Sequence, residues 1–226
     1  MATTFTEPPN PGATSALATT LSKVLVGSAA NDRFTTTSGN DSFDGGLGTD
    51  TAVFTGSRSE HSITKTAAGW SVSSPLDGID TLVNIERLVF TDATVALDVS
   101  GNAGQAYRIY QAAFNRAPDA VGLGYWINAL DGGTTLKSVA QGFVDSTEFK
   151  TLYGSNPTNS QIVTKLYDNI LHRTPEQAGY DFWLGVLNRN EATVAEVLAA
   201  FGESNENVAQ LTGVISIGVV FTPWGG

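Results

Sequence analysis

Apolar positions recur along this chain with two periods, and the change falls near Gly101. Before it the rhythm is short. Lys23-Val-Leu-Val26 is a compact apolar run, and Thr51-Ala-Val-Phe-Thr55 is another. His61-Ser-Ile-Thr-Lys-Thr66 and Trp70-Ser-Val-Ser-Ser74 alternate on either side of Ala67-Ala-Gly69, which predicts a β-hairpin. Asp77-Gly-Ile-Asp80 predicts the next turn, and Thr81–Phe90 with Thr94–Leu97 completes a β region. Beyond Gly101 the period becomes 3.6: Ala106, Ile109, Tyr110, Ala113 and Phe114 share one helical face. The expected fold class is therefore α+β. Residues 21–100 form a β unit, 101–213 a helical unit and 214–226 an apolar tail, a final strand or part of an export signal. Residues 1–20, rich in Thr, Ala and Pro without periodicity, read as a mobile leader.

The β unit contains a second regularity. From Gly27 to Val53 the chain divides into nines, with Asp32, Asp41 and Asp50 in equivalent places and Phe34, Phe43 and Ala52 two positions after them. The pattern is G-G-x-G-x-D-x-(apolar)-x, complete only in the third copy. Gly- and Asn-rich turns reach backbone angles closed to bulkier residues, while a three-residue strand sends one apolar side chain inward. Stacked turns of this kind make a short parallel β-roll. These residues resemble the RTX, or haemolysin-type, calcium-binding repeat family. The phrase DGIDTLVNIERLVFTDATVALD resembles the segment that closes such regions, which implies a β cap over the open end of the roll.

The resemblance implies Ca²⁺, an ion that takes carboxylate and carbonyl oxygens. Two nonapeptides complete one turn of the roll, so Asp32 and Asp50, 18 residues apart, stand on one edge. Asp41 faces the other edge, where the neighbouring turns are expected near 18–23 and 54–59. The expectation is one site from Asp32, Asp50 and turn carbonyls, with Gly46 and Gly48 shaping the turn and Asp44 as an extra ligand. Asp41 would supply at most a weak second site. A surface site with few carboxylates implies a Kd of about 10⁻⁴–10⁻³ M.

The helical unit is duplicated. Tyr110, Arg116, Pro118, Gly122 and Trp126 recur as Tyr167, Arg173, Pro175, Gly179 and Trp183, and Val139, Phe143, Ser146 and Glu148 recur as Val197, Phe201, Ser204 and Glu206. The copies run from about 105 to 155 and from 160 to 212, each with three helical segments and a short fourth. Pro118 and Pro175 are expected in first helical turns. Thr158-x-x-Gln161 and Thr193-x-x-Glu196 read as capping boxes, with Asp145 and Glu148 as a variant. The segments YQAAFNRAPDAVGLGYWINALDGG and LYDNILHRTPEQAGYDFWLGVLNRN resemble DUF4214, a helical domain of unassigned function that accompanies RTX repeats in secreted and cell-surface proteins.

Composition narrows the chemistry. The net charge of −10, spread over both halves, argues against nucleic acid as a partner. Cysteine is absent, which removes disulfides and thiolate chemistry. No apolar run is long enough to span a bilayer, and the N-terminus lacks the pattern of a cleaved signal. RTX-like proteins leave Gram-negative bacteria by type I secretion, so the resemblance implies a secreted or surface location. His61 and His172 belong to no catalytic motif, and no nucleophile elbow, zinc helix or phosphate loop is present. Expectation therefore settles on a non-enzymatic, calcium-binding extracellular or cell-surface protein for attachment or matrix assembly, with self-association into a homo-oligomer allowed. A lectin-like protein binding glycans or surface polysaccharide is the alternative, with Trp70, Trp126, Trp183, Arg116 and Arg173 as ligand-binding residues. A secreted toxin or effector stands third.

Overall fold

A computed structural model describes residues 22–225. The expected leader, 1–20, lies outside them, as does residue 21, the first of the expected β unit. The fold is α+β, with two mixed sheets followed by eight helices among the described residues and a last strand that returns to the sheets.

The roll is built as the nine-residue pattern requires. Strands β1 (Val24–Val26), β2 (Arg33–Thr35), β3 (Ser42–Asp44) and β4 (Thr51–Val53) are three residues each. They alternate between sheets, so β1 pairs with β3 and β2 with β4, both parallel. The central residue of each later rung turns inward: Phe34, Phe43 and Ala52 are buried, and the two phenyl rings stack 5.1 Å apart.

After β4 the chain leaves the coil through a hairpin and then rejoins it. The hairpin comprises β5 (Ser62–Lys65) and β6 (Trp70–Ser74), antiparallel as predicted. Strand β7 (Gly78–Val83) then lies parallel to β3, with Leu82 opposite Phe43, and β8 (Arg87–Val89) lies parallel to β4, with Leu88 opposite Ala52. The segment expected to be a cap is thus first a further coil of the roll. Its turn, Asn84-Ile-Glu86, is three residues long and opens at a positive φ of 50° on Asn84. Capping is done by the antiparallel strands outside this coil. The hairpin extends one sheet past β7, and β9 (Thr94–Ala96) extends the other past β8. Strand β10 (Val219–Phe221), from the C-terminal tail, pairs antiparallel with β9 and completes that sheet.

The helices run α1 (Asn102–Phe114), α2 (Ala120–Asp131), α3 (Leu136–Asp145) and α4 (Thr147–Tyr153), then α5 (Asn159–Leu171), α6 (Gln177–Asn188), α7 (Val194–Gly202) and α8 (Asn205–Thr212). Four are followed by four, as the duplication predicts, and both copies share one apolar core that includes Ile109, Phe143, Leu166 and Phe201. The capping boxes at Thr158 and Thr193 are present. Two local expectations are corrected. The cap of α4 is Ser146, whose hydroxyl accepts from the Phe149 N–H, and Ser204 does the same for α8, so Asp145 is not the cap. Pro118 precedes the cap residue Asp119 and Pro175 precedes Glu176, so both prolines stand just outside their helices. There they end the preceding extended segment instead of opening the helix.

The two units meet through Arg87 of β8. It is buried, and its guanidinium pairs with Asp98 on the connecting segment and with Asp131 at the end of α2, 2.7 Å away. The tail strand adds a second contact. Thr222 N–H donates to Ala120 O, and a Cβ on Gly124 would stand 1.8 Å from Thr222 O, so only glycine lets α2 come this close.

Candidate metal centre

Each turn of the roll ends in a carboxylate that accepts the N–H of the equivalent residue one coil away. On one edge Asp32 N–H donates to Asp50 Oδ1 (2.7 Å) and Asp50 N–H to Glu86 Oε2 (2.8 Å). On the other, Lys23 N–H donates to Asp41 Oδ1 (2.6 Å) and Asp41 N–H to Asp80 Oδ1 (2.8 Å). Asp32 and Asp50 share an edge, as the spacing predicts. The partner of Asp41 is Asp80, and not the expected segment 54–59. Both Asp80 and Glu86 carry the signature of the nonapeptides, an acid followed two positions later by a buried apolar residue, Leu82 or Leu88. That signal was legible, but the inserted hairpin takes it out of the count of nine.

The 27–32 and 45–50 turns lie against each other. Gly46 and Gly48 have φ of 89° and 119°. A Cβ on Gly46 would stand 2.3 Å from Ser28 O, and one on Gly48 would stand 2.9 Å from Ala30 O. Those carbonyls therefore face the second turn. The Asp32 Oδ2 atom accepts from Ser28 N–H (2.6 Å) and the Ser28 hydroxyl (2.9 Å). Asp44 serves the turn from outside the ladder, accepting from Gly46 N–H and from the Asn84 side-chain amide (2.8 Å).

Asp50 is fully buried, and its Oδ2 has no hydrogen-bond partner. A Cβ on Gly45 would meet this oxygen at 2.4 Å and Asn84 O at 2.0 Å, so two acceptors stand close together there. Burial raises the Glu86 carboxyl above its ordinary range, and the Asp50 carboxylate adds to the effect against the Asp50 N–H bond that lowers it. A buried carboxylate oxygen without a donor, close to a carbonyl oxygen, fits a hard cation. Among the described residues no three His, Asp or Glu side chains cluster in a metal-binding arrangement, so carbonyls must complete any such shell. Gly45→Ala should be severe in either case, because its Cβ meets backbone. A loss above ~3 kcal/mol is expected by urea unfolding, against a negligible change for Gly213→Ala, which has open space around it.

The residues expected to bind a ligand have structural surroundings. Trp70 is buried in the roll core. Trp126 packs on Phe143 (4.8 Å) and over Gly142, and Trp183 packs on Phe201 (5.3 Å) beside a cavity of about 80 Å³, too small for a sugar. Arg116 pairs with Glu148 through two nitrogens and donates to the Tyr110 hydroxyl. Arg173 pairs in the same way with Glu206, and also with Glu176. Arginine and aromatic positions thus repeat because each copy needs the same bracket. Sequence reading missed the buried pair His61–Asp77, with Nε2 and Oδ2 2.8 Å apart. His61 Nδ1 stands 2.8 Å from Ser57 O, and Asp77 also accepts from the Thr36 hydroxyl and from Thr55 N–H. His172 is the left-handed C-cap of α5, in the place of Asn115 after α1.

The family model described as "Domain of unknown function (DUF4214)" matches residues 101–153 and 140–211. The helical half matches DUF4214. The first DUF4214 segment covers α1 to α4, and the second runs from within α3 through α7 and nearly all of α8, so it reaches back into the first copy. No curated protein and no solved structure matches the chain. No helix among the described residues is long and apolar enough to cross a membrane.

Proposed function

We propose that this protein is a non-enzymatic, RTX-like extracellular or cell-surface module of a Gram-negative bacterium, stabilised by Ca²⁺ and used in attachment or matrix assembly. Asp32 and Asp50 hold the ion together with carbonyls of the 27–32 and 45–50 turns. The observation that carries the reading is the buried, unpartnered Oδ2 of Asp50, beside Gly45 and the Asn84 carbonyl. A cation there gives that oxygen the counter-charge it lacks and cross-links adjacent coils. With a Kd of about 10⁻⁴–10⁻³ M, the site fills outside the cell and stays empty at cytosolic calcium levels.

Thermal unfolding in EDTA and then in millimolar Ca²⁺ tests this. Calcium at ten to a hundred times Kd should add about 1.4–2.7 kcal/mol and raise Tm by several degrees. Asp50→Asn should abolish the calcium response while leaving the Oδ1 acceptor for Asp32 N–H in place. An unchanged Tm in EDTA and calcium would remove the metal from the account.

A further inference from the structure

A groove of about 380 Å³ lies between the outer face of the β2–β4–β8 sheet and helix α2, with Pro223 and Trp224 among its lining residues. Its volume lies within the ~300–1,000 Å³ of small-ligand sites. Most charged groups in the molecule's clefts are already paired, Arg87 with Asp98 and Asp131 among them. Arg33 is different. It points outward from β2 into this groove, and its guanidinium has no ion-pair or hydrogen-bond partner among the described residues. The Thr51 hydroxyl, opposite it on β4, and the Asn128 amide on α2 likewise have no partner among the described residues. Asn31 spends its Oδ1 on Thr49 N–H and keeps its NH₂ group. These donors share the groove with two carboxylates that are already engaged, Asp32 with Ser28 and Asp131 with Arg87.

The other requirement is an apolar plate. Trp224 is 53% exposed although its position is fixed: the tail is bonded to α2 through Thr222, and Tyr125 meets the indole edge-on at 4.9 Å. An exposed, oriented indole packs against the C–H face of a pyranose ring, while planar amides and a guanidinium bond its equatorial oxygens. An unpaired guanidinium selects a carboxylate, which it binds through two parallel hydrogen bonds. The groove between the helical copies has no comparable exposed ring, because its Phe149 is buried.

We propose that this groove binds an acidic sugar residue of a polysaccharide, a uronate, with its carboxylate on Arg33 and its ring against Trp224. The inference rests on the attachment role proposed above and names its partner class; Asp32, a ligand of the proposed metal, also lines the groove, so binding is read with and without calcium.

Isothermal titration of the full chain with a galacturonate trisaccharide, with maltotriose as the neutral control, tests it in EDTA and in millimolar Ca²⁺. Saturable binding of the acidic trisaccharide, at least tenfold tighter than maltotriose, is expected. Arg33→Ala and Trp224→Ala should each weaken it at least tenfold with the circular dichroism melt unchanged, and Arg33→Lys should keep part of it. Asn128→Asp, which sets a like charge against the ligand, supplies a second variant should Trp224→Ala loosen the tail. Absence of saturable binding, equal binding of maltotriose, or undiminished binding by the Arg33 and Trp224 variants each overturns the proposal. Binding retained in EDTA beside a Tm that ignores calcium removes the metal alone; a calcium-shifted Tm without sugar binding removes the groove alone.

Discussion

Asp77→Ala should lower stability by about 3–5 kcal/mol, because it strips several buried donors of the one carboxylate they share. The side chains of His61 and Asp77 are 0% and 2% exposed. Burial by itself would push the Asp77 carboxyl upward, but bonds from His61, Thr36 and Thr55 outweigh it and hold the group below its ordinary range. The substitution leaves His61 Nε2, the Thr36 hydroxyl and Thr55 N–H facing the space where the carboxylate stood. These groups come from three places: the hairpin, the turn after β2 and the exit from β4. The pair therefore joins the inserted hairpin to the roll. At ~2–4 °C per kcal/mol for a chain of this size, Tm should fall by roughly 6–20 °C. His61→Ala should cost a similar amount, and the double variant clearly less than the sum. Fluorescence of Trp70, buried in the same core, reports the transition in a variant whose other three tryptophans are replaced by phenylalanine. A fall under about 2 °C for Asp77→Ala would show that the pair does not hold the hairpin in place.

How far the chain could be read depended on whether its signals were local. Phe34, Phe43 and Asp32, Asp41, Asp50 disclose the roll because one coil repeats before anything interrupts it. The helical copies are legible because each rebuilds the same bracket, Arg116–Glu148 in one and Arg173–Glu206 in the other. The further coil was hidden. Asp41 meets Asp80 across 39 residues, with a hairpin inserted between, and a fixed count of nine passes over that junction. Trp70 looked available because alternation reveals a strand's two faces but not which one the rest of the fold covers. The groove is legible only in three dimensions: Arg33 and Trp224 stand near opposite ends of the chain, and β10 must return to β9 before they share a wall.

The Asp80 carboxyl gives the second large effect, and its sign is opposite to that of Asp77. Asp80 is fully buried and its Oδ2 has no partner. Burial is the main cause that lifts it from 3.8 to about 7; the Asp41 N–H bond opposes the rise, and the carboxylates of Asp41 and Asp77 add to it. The folded state thus binds this proton more tightly than the unfolded chain. The stability it contributes is fully present below about 3.8 and is lost as pH rises through about 7. Asp77, held below its ordinary value, contributes above that value and loses its share as pH falls through the depressed one. The parent protein should therefore weaken toward both extremes. Asp80→Asn keeps an Oδ1 acceptor for Asp41 N–H and removes the charge, so it should abolish the decline between about pH 4 and 7 and leave the acid limb intact. At pH 8 the variant should be the more stable protein, by on the order of a few kcal/mol. Urea unfolding across this range, in EDTA so that no cation supplies the missing counter-charge, measures the difference. A variant less stable than the parent at pH 8 would mean that Asp80 is ionised and well satisfied in the folded roll. The edge formed by Asp41 and Asp80 would then hold its carboxylates by hydrogen bonds alone.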